Sequence, residues 1–370
     1  MAVPLLDLKA QHATIRDEVV AEVMKVVDAQ AFILGEPVQK LESEVAALSQ
    51  TKYAVGCANG TDAILIAMRA LDIGAGDQVV TTPFTFFATA GTIHNVGATP
   101  VFVDIDPKTY NIRPDLAAAA VTAKTKAIIP VDLFGQMAAL EEIRALLPGM
   151  PIIEDAAQSI GARRKIGGEW TMAGQAATIG TFSFFPSKNL GGYGDGGMIV
   201  TQDETLFKRL MRLRTHGSVQ TYFHEEVGYN SRLDALQAAV LLAKLPHLAA
   251  WSAKRRENAA YYTQAFADIA DIVPPHIDPA NESIYNQYTI RVPKRDALKE
   301  HLKAKGIGHS VYYPLPLHLQ PCFAYLGYKA GACPEAEKAA EEVVSLPVYP
   351  ELTRAQLDEV VAGVRSFFGK

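Results

Sequence analysis

Residues 53–71 read Tyr-Ala-Val-Gly-Cys-Ala-Asn-Gly-Thr-Asp-Ala-Ile-Leu-Ile-Ala-Met-Arg-Ala-Leu. The stretch opens with a short apolar run, passes through a polar turn at 59–62, and continues with apolar side chains at Ile64, Leu65, Met68 and Leu71. This spacing predicts a strand, a turn and a helix. Because the pattern recurs from about residue 53 to residue 201, we predict an α/β fold with a largely parallel sheet covered by helices on both faces.

Further elements are predicted from the same two periodicities. Strands are expected at 78–81, 99–103, 126–130, 151–154, 197–201 and 288–292. Helices are expected at 11–29, 37–48, 137–146, 231–245, 248–267, 295–305, 334–344 and 354–368. We place a domain boundary near residue 246. This gives a large domain with an N-terminal arm at 1–246 and a smaller α+β domain at 247–370.

Composition restricts the possible functions. The 370 residues are 49% hydrophobic and 20% charged, as in a globular protein with a sizeable core. Lys and Arg number 35 against 40 Asp and Glu, and the formal charge of −5 gives no long-range attraction to nucleic acid or an anionic membrane. Cys57, Cys322 and Cys333 suit neither a disulfide framework nor a zinc site. No apolar run reaches the length of a membrane span, so a cytoplasmic location is expected.

A single lysine, Lys188, lies in the glycine-rich segment 181–197, Thr-Phe-Ser-Phe-Phe-Pro-Ser-Lys-Asn-Leu-Gly-Gly-Tyr-Gly-Asp-Gly-Gly. A solvated surface lysine is the plainer interpretation. The flanking rings of Phe184, Phe185 and Tyr193 favour burial, which lowers the pKa of a lysine toward the neutral amine that condenses with carbonyl groups. Schiff-base chemistry at Lys188 is therefore a second interpretation.

Two acidic residues, Glu154 and Asp155, follow the apolar residues 151–153 at the end of a predicted strand. This is the edge at which α/β sheets bind ligands. One interpretation is that Asp155 caps the next helix. Another is that its carboxylate keeps a pyridine nitrogen protonated, which makes that ring an electron sink. The residues alone leave both open.

Two more features fall at strand ends. The turn 59–62 can bind a phosphate through backbone amides at a helix N-terminus, although an ordinary cap formed by Thr61 or Asp62 is the plainer interpretation. The segment 82–87, Thr-Pro-Phe-Thr-Phe-Phe, offers rings that could stack on a flat ligand, although most such clusters are core. Together with Lys188 and Asp155, these features meet the requirements of pyridoxal phosphate.

The chain resembles the DegT, DnrJ, EryC and StrS sugar aminotransferases over nearly its whole length. The motifs that carry the resemblance are Ala-Asn-Gly-Thr-Asp-Ala at 58–63, Glu-Asp-Ala-Ala-Gln at 154–158, Ser-Phe-Phe-Pro-Ser-Lys at 183–188, Gly-Asp-Gly-Gly at 194–197, Gly-Tyr-Asn-Ser-Arg-Leu-Asp at 228–234 and Leu-His-Leu-Gln-Pro at 317–321. The resemblance implies the fold of type I pyridoxal-phosphate enzymes and a homodimer with active sites shared across the interface.

The resemblance also implies residue roles. Lys188 is expected to form the internal aldimine and to move protons, and no metal is expected. Expected cofactor contacts are Gly60, Thr61 and Ser183 at the phosphate, Phe86 stacked on the ring, Asp155 at the ring nitrogen, Gln158 at the phenolic oxygen and Asn230 from the neighbouring subunit. Expected substrate contacts are Arg232, His309, Tyr312 and Tyr313. Many relatives have histidine where Tyr312 stands, and Tyr or Trp where Phe86 stands.

The implied reaction moves an amino group from L-glutamate to a keto sugar linked to UDP or dTDP. Lys188 argues against the dehydratase branch of the family, which has histidine there. The motifs at 228–234 and 313–321 resemble enzymes of 3-keto sugars more than those of 4-keto sugars, which are the alternative. Other classes to weigh are a non-catalytic sugar-sensing regulator and a dinucleotide-dependent oxidoreductase. The Gly-x-Gly-x-x-Gly pattern of the latter matches 192–197 but precedes a strand-like run instead of following one.

Overall fold

A central mixed sheet organises the chain in the computed structural model, which describes residues 2–370. The strands are β1 (Tyr53–Cys57), β2 (Gln78–Thr81), β3 (Thr99–Phe102), β4 (Thr125–Ile129), β5 (Ile153–Asp155), β6 (Arg163–Ile166), β7 (Glu169–Met172), β8 (Ile179–Ser183), β9 (Gly197–Thr201), β10 (Ser218–Gln220), β11 (Phe223–His224), β12 (Asn281–Glu282), β13 (Tyr288–Arg291) and β14 (Val343–Leu346).

The sheet order explains why the predicted strands meet at one edge. Strands β3, β2 and β4 form one parallel group, and β5, β8, β9 and β1 form a second group. Parallel bridges from Ile128 to Ile152 and from Val131 to Asp155 join the two groups between β4 and β5. The mostly parallel sheet is thus confirmed, except that β9 runs antiparallel to both β8 and β1.

The helices are α1 (Leu8–Ala29), α2 (Glu36–Leu48), α3 (Gly60–Ala70), α4 (Phe87–Asn95), α5 (Pro114–Ala119), α6 (Leu140–Leu146), α7 (Glu204–Leu213), α8 (Ala235–Lys244), α9 (Leu248–Ala265), α10 (Arg295–Ala304), α11 (Pro334–Glu342) and α12 (Arg354–Phe367). Helix α3 follows the strand and turn of residues 53–62, as the apolar spacing predicts. Its inner face, including Ile64 and Met68, is buried against strands of the central sheet.

A second hydrophobic core lies toward the C-terminus. It combines Tyr262 of α9, Tyr288 of β13 and Val360 of α12, and it also includes Val3 from the start of the chain. The short turn Leu245–His247 separates α8 from α9. Helix α9 contributes Leu248 to the core of the large sheet and Tyr262 to the second core. The boundary near residue 246 therefore falls at this turn and remains a prediction.

Several elements differ from the prediction. The helix expected at 334–344 ends at Glu342, and the chain continues as β14, which pairs antiparallel with β13. The hairpin of β6 and β7 had no clear signal, because its alternation is interrupted by the charged residues Arg163, Arg164 and Lys165. Among residues 2–370, no helix combines the length and apolarity needed to cross a bilayer.

The N-terminal arm is fastened to the large domain by a buried ion pair. Arg214, whose side chain is 4% exposed, pairs with Glu42 of α2. The same guanidinium donates to the carbonyl oxygen of Gly56 in β1 at 2.8 Å, and Glu42 accepts from the amide of Gly56 at 2.8 Å. Removing either partner leaves a buried charge without compensation, which is far more costly than losing an exposed pair.

We expect Arg214→Ala to lower the free energy of unfolding by about 3–5 kcal/mol, because Glu42 would remain buried without its cation. Lys208→Ala removes an exposed pair with Glu204 and serves as the control, with no appreciable change in stability expected. Chemical denaturation followed by tryptophan fluorescence measures both values. Equal stability of the two variants would show that the Arg214 pair does not stabilise the arm.

Candidate active site

The candidate site lies where β5 and β8 end. These strands are parallel, and their register sets Asp155 opposite Thr181, two residues before Ser183. Their carboxyl ends therefore open at the same edge of the sheet, where ligands bind in α/β proteins. Lys188 follows β8 by five residues, so the topology brings the lysine loop next to the acidic end of β5.

Asp155 is a buried carboxyl group with a polar environment of its own. Its Oδ2 accepts a hydrogen bond of 2.7 Å from Thr89 Oγ1, and its Oδ1 accepts one of 3.3 Å from the amide of Ala157. Burial raises the pKa of Asp155, while the bonds from Thr89 and Ala157 and the charge of Lys188 oppose that rise. A cation placed against this carboxyl group would favour its ionised form.

Lys188 is half-buried, and its pKa is lowered to about 8 by removal of the ammonium from water, with the charge of Asp155 acting in the opposite direction. A larger share of this lysine is thus neutral near physiological pH than of an ordinary lysine. The neutral amine is the nucleophilic form.

The loop that carries Lys188 is held on both sides. The next residue, Asn189, donates to the carbonyl oxygen of Ile284 at 3.0 Å and accepts from Asn286 at 2.9 Å. The buried ammonium of Lys244 donates to the carbonyl oxygen of Gly191 at 2.7 Å. These hydrogen bonds hold the backbone of the loop that contains Lys188 in place.

The side chain of Gln158 is oriented with its amide nitrogen toward Tyr313. Its Oε1 accepts a hydrogen bond of 2.7 Å from the amide of Phe134, which leaves Nε2 as the donor. Nε2 donates to the hydroxyl oxygen of Tyr313 at 3.2 Å. Burial raises the pKa of Tyr313, and the nearby charge of Asp155 adds to the rise. Gln158, Tyr313 and Asp155 therefore belong to one cluster.

The turn before α3 has the geometry of an anion site. The N-cap is Asn59, whose side chain accepts from the amide of Asp62 at 2.8 Å, and not Thr61 or Asp62 as the simpler interpretation had it. Gly60 approaches Ser183 so closely that an added Cβ would lie 2.6 Å from the Cβ of Ser183. The N-terminus of this eleven-residue helix therefore lies against the end of β8, and a helix N-terminus is a favourable place for a bound phosphate.

The aromatic segment 82–87 divides between core and surface. Phe84 is fully buried, as expected for a core ring, whereas Phe86 is 58% exposed. The Phe86 ring lies 6.4 Å from the ring of Tyr313 and so borders the same cluster. This exposed ring, at the N-cap of α4, is available for stacking.

The remaining predicted residues are not joined to this cluster by any hydrogen bond or ring contact among residues 2–370, apart from Tyr312, whose ring lies 5.8 Å from that of Tyr313. Asn230 is exposed and bridges Thr215 through its backbone. Arg232 is half-buried, and His309 shares a bond of 2.9 Å with the carbonyl oxygen of Ile307.

Sequence reasoning missed several residues that shape the site. Thr89 of α4 bonds Asp155, and Thr85, which precedes α4, bonds Thr89 at 3.0 Å; both threonines are buried. Phe134 orients Gln158 through its backbone alone, a contact that no side-chain pattern reveals. For Thr89, no local pattern in the sequence indicates the contact with Asp155, because the two residues are 66 positions apart.

Other kinds of site find no support. Within residues 2–370, no group of three or more His, Cys, Asp and Glu side chains is arranged to hold a metal ion. The glycines of 192–197 lead into β9 and not into a helix. A dinucleotide-binding Gly-x-Gly-x-x-Gly segment follows a strand and opens a helix, and the segment 192–197 does neither.

A comparison with protein families matches residues 13–365 to the DegT/DnrJ/EryC1/StrS aminotransferase family. The lysine, carboxylate and helix N-terminus described above are the parts of a pyridoxal-phosphate-dependent aminotransferase. The chain belongs to the DegT/DnrJ/EryC1/StrS family.

Similar proteins of known name cover the whole chain. The pleiotropic regulatory protein of Geobacillus stearothermophilus is 52% identical over 100% of this chain and 99% of its own length. The UDP-N-acetyl-3-dehydro-alpha-D-glucosamine 3-aminotransferase of Acidithiobacillus ferrooxidans is 47% identical over 98% of this chain and 97% of its own. The UDP-2-acetamido-2-deoxy-3-oxo-D-glucuronate aminotransferase of Pseudomonas aeruginosa is 43% identical over 98% and 99%, respectively.

Solved structures agree with the fold. S. venezuelae DesV, crystallised in complex with a ketimine intermediate, has a TM-score of 0.97 at 40% identity, covering 100% of this chain and 99% of that chain. NtdA of Bacillus subtilis, with bound cofactor PMP, has a TM-score of 0.91 at 29% identity, covering 100% and 86%. The fold of the type I pyridoxal-phosphate aminotransferases is thereby confirmed.

The residues present fit pyridoxal phosphate, the cofactor of this enzyme. Gly60 brings the N-terminus of α3 against Ser183, Asp155 is a buried carboxyl group that a cationic ring nitrogen would favour in its ionised form, and Lys188 has an amine of lowered pKa. The assignment of single residues to single cofactor atoms remains a prediction.

Borohydride reduction of the loaded enzyme is expected to leave the cofactor attached to Lys188. We expect Lys188→Arg to keep the fold and lose this attachment, because a guanidinium does not form the link. In the apoenzyme the rate of attachment should rise as pH increases through about 8, since the neutral amine is the reactive form and burial lowers the lysine pKa to about 8.

Peptide mass analysis identifies the labelled residue, and the Lys124→Arg variant, altered at an exposed lysine, is the control. A label on any other lysine, or a rate that rises only near pH 10, would contradict the assignment of Lys188.

Proposed function

We propose that this aminotransferase moves the amino group of L-glutamate to carbon 3 of a nucleotide-linked 3-keto sugar. The observation that carries the proposal is the 47% identity, along nearly the full length, to an enzyme named for a UDP-linked 3-keto sugar, combined with the Lys188 and Asp155 geometry. The relative named for a 3-oxo-glucuronate supports the same carbon. A purely regulatory role is less favoured, because a lysine of lowered pKa beside a buried carboxyl group is chemistry that a sensor does not need.

Bound pyridoxal phosphate supplies an electron sink that stabilises negative charge on the carbon bearing the amino group. In our proposal Gly60, Thr61 and Ser183 bind the phosphate through helix amides and hydroxyl groups. Asp155, fixed by Thr89, holds the proton of the ring nitrogen, while Phe86 covers one face of the ring. Gln158 donates to the phenolic oxygen from the Nε2 that Phe134 orients.

Lys188 serves as the mobile base. As a free amine, Lys188 Nζ takes the proton from the α-carbon of glutamate and delivers a proton in the first half of the reaction. In the second half it performs the reverse transfers and places a proton on carbon 3 of the sugar. A pKa of about 8 suits a group that must both accept and release protons near neutral pH.

We propose that each active site is completed by a second copy of the chain. Asn230 is exposed and makes no contact with the cluster around Asp155, so its predicted role at the phosphate needs a neighbouring subunit. Nearby, Tyr222 is 90% exposed, Phe223 64% and Val227 85%. Apolar residues this exposed, on the β10–β11 hairpin and just after it, are typical of a protein interface.

A site shared between two subunits also suggests which residues contact the substrate. Arg232, two residues after Asn230, forms no ion pair or hydrogen bond within residues 2–370, and its cation is thus available to a sugar bound in the partner's site. The guanidinium of Arg232 could bind either the carboxylate of a uronate or a hydroxyl group of the sugar. Tyr312 and Tyr313, whose rings contact each other, would meet the substrate from the C-terminal part of the chain, and His309 is proposed to do so as well. The free cysteines fit a reducing cytoplasm, where nucleotide sugars are made.

With glutamate as donor, we expect UDP- or dTDP-linked 3-keto sugars to yield 3-amino products, and 4-keto isomers to react far more slowly. The panel should include a hexuronate, an N-acetylglucosamine and a 6-deoxy member, so that the role of Arg232 is read from the same data. Mass spectrometry and the position of the amine by NMR are the measurements, with Lys188→Arg as the blank. Preferential turnover of 4-keto sugars would overturn the carbon-3 assignment and leave the enzyme class intact.

Mixing two inactive variants tests the shared site. Lys188→Ala and Asn230→Ala are each expected to be impaired, but a mixed dimer of the two contains one complete site. Random exchange of subunits should therefore restore about one quarter of wild-type activity. Each variant at the same total concentration is the control. Absence of any recovery in a sample shown by native mass spectrometry to contain mixed dimers would place Asn230 in the site of its own subunit.

A further inference from the structure

Three carboxyl groups lie buried together at the end of β5. Glu154 and Asp155 are its last two residues, and Asp132 lies on the loop that follows β4. Asp132 and Glu154 have no exposed surface, and Asp155 is 5% exposed. Because successive side chains of a strand point to opposite faces, Glu154 lies behind the face on which Asp155 meets Thr89. Three ionised carboxylates in one buried place would repel one another strongly.

The three groups receive unequal numbers of hydrogen bonds. Asp132 accepts from the amide of Ala138 at 2.8 Å and from Ser159 Oγ at 2.7 Å. Asp155 also accepts two, as described above. Glu154 accepts one, from the amide of Gly174 at 2.9 Å, through Oε2. Glu154 is therefore the carboxyl group whose negative charge is the least stabilised.

The other oxygen of Glu154 identifies where a proton would sit. Oε1 of Glu154 is buried without a hydrogen-bond partner among residues 2–370, and the carboxyl group that acts on this side chain is that of Asp132. Two carboxyl groups bond one another only if one of them carries a proton. A metal ion is no substitute, because no metal-holding group of side chains occurs in residues 2–370.

We propose that Glu154 is a neutral carboxylic acid that donates its proton from Oε1 to Asp132, and that this positions Asp155 as the only carboxylate facing the cofactor. The hydrogen bond ties the end of β5 to the loop at 131–138. It also removes one of the three negative charges from the cluster that contains Asp155. The second part rests on the proposed role of Asp155.

The charges around the pair agree with this assignment. Burial and the charge of Asp132 raise the pKa of Glu154 well above its usual value, and Arg144 on α6 lowers it only in part. Burial raises the pKa of Asp132 to about 6, with bonds from Glu154, Ala138 and Ser159 acting against the rise. The directions of the two pKa shifts favour the proton on Glu154 over Asp132. The charge of Lys188 lowers the pKa of Asp155.

Difference infrared spectroscopy of the holoenzyme at neutral pH tests the protonation of Glu154 directly. A carboxylic acid has a C=O stretch at higher frequency than a carboxylate, and we expect Glu154→Gln to lose one such band. Glu44→Gln, the same change at an exposed position of α2, should lose none. Glutamine can replace the acid as a donor to Asp132 and an acceptor from Gly174, so the variant is expected to fold.

Carbon-13 labelling of the glutamate side chains distinguishes the two members of the pair. If the proton is on Glu154, the band that Glu154→Gln loses should move to lower frequency in the labelled wild type, because its carbonyl carbon is heavier. A band that the label leaves unmoved, or that persists in Glu154→Gln, would overturn the assignment. These readouts do not involve turnover or the sugar, so they stand or fall separately from the proposed reaction.

The charge of Glu154 can also be tested through the pH dependence of the cofactor absorbance. The midpoint pH of the change in cofactor absorbance should shift by less than about half a unit in Glu154→Gln, because a neutral group replaces a neutral group. Loss of an ionised glutamate at this position would shift the midpoint by about one unit or more. A shift of that size would show that Glu154 is charged.

Discussion

The buried carboxyl group of Asp155 is the constraint on which the site depends. A charge in the interior is tolerated only when donors and an opposite charge compensate its lost hydration. Thr89 and the amide of Ala157 supply the donors, and Lys188 supplies the charge. The same burial that raises the pKa of Asp155 lowers that of Lys188, so one apolar environment prepares both groups for chemistry.

The surrounding backbone is arranged to keep this environment rigid. Gly60 lies against Ser183, and Gly197 approaches the carbonyl of Asn59 too closely to admit a side chain. These contacts join the N-terminus of α3 to the ends of β8 and β9. Because a Cβ at either glycine would collide with these neighbours, larger residues would separate the N-terminus of α3 from the strand ends.

Much of this was predictable from the sequence because it is local. The strand, turn and helix of residues 53–71, the end of β5 at Asp155 and the glycine-rich loop around Lys188 are each visible as short patterns. The antiparallel direction of β9 and the strand that ends the predicted helix at 334–344 were not visible. The direction of β9 and the formation of β14 depend on pairing with other strands, and a local sequence pattern does not identify pairing partners.

The sequence by itself determined the α/β class, the family and the residues able to do chemistry, because apolar spacing and motif order can be recognised without knowing the fold. The tertiary structure alone decided which atoms face one another. It oriented Gln158 through the amide of Phe134, gave Asp155 its bond from Thr89, and brought Glu154 into contact with Asp132. Protonation states depend on such contacts across the fold, since burial and neighbouring charge, and not residue type, set the pKa values.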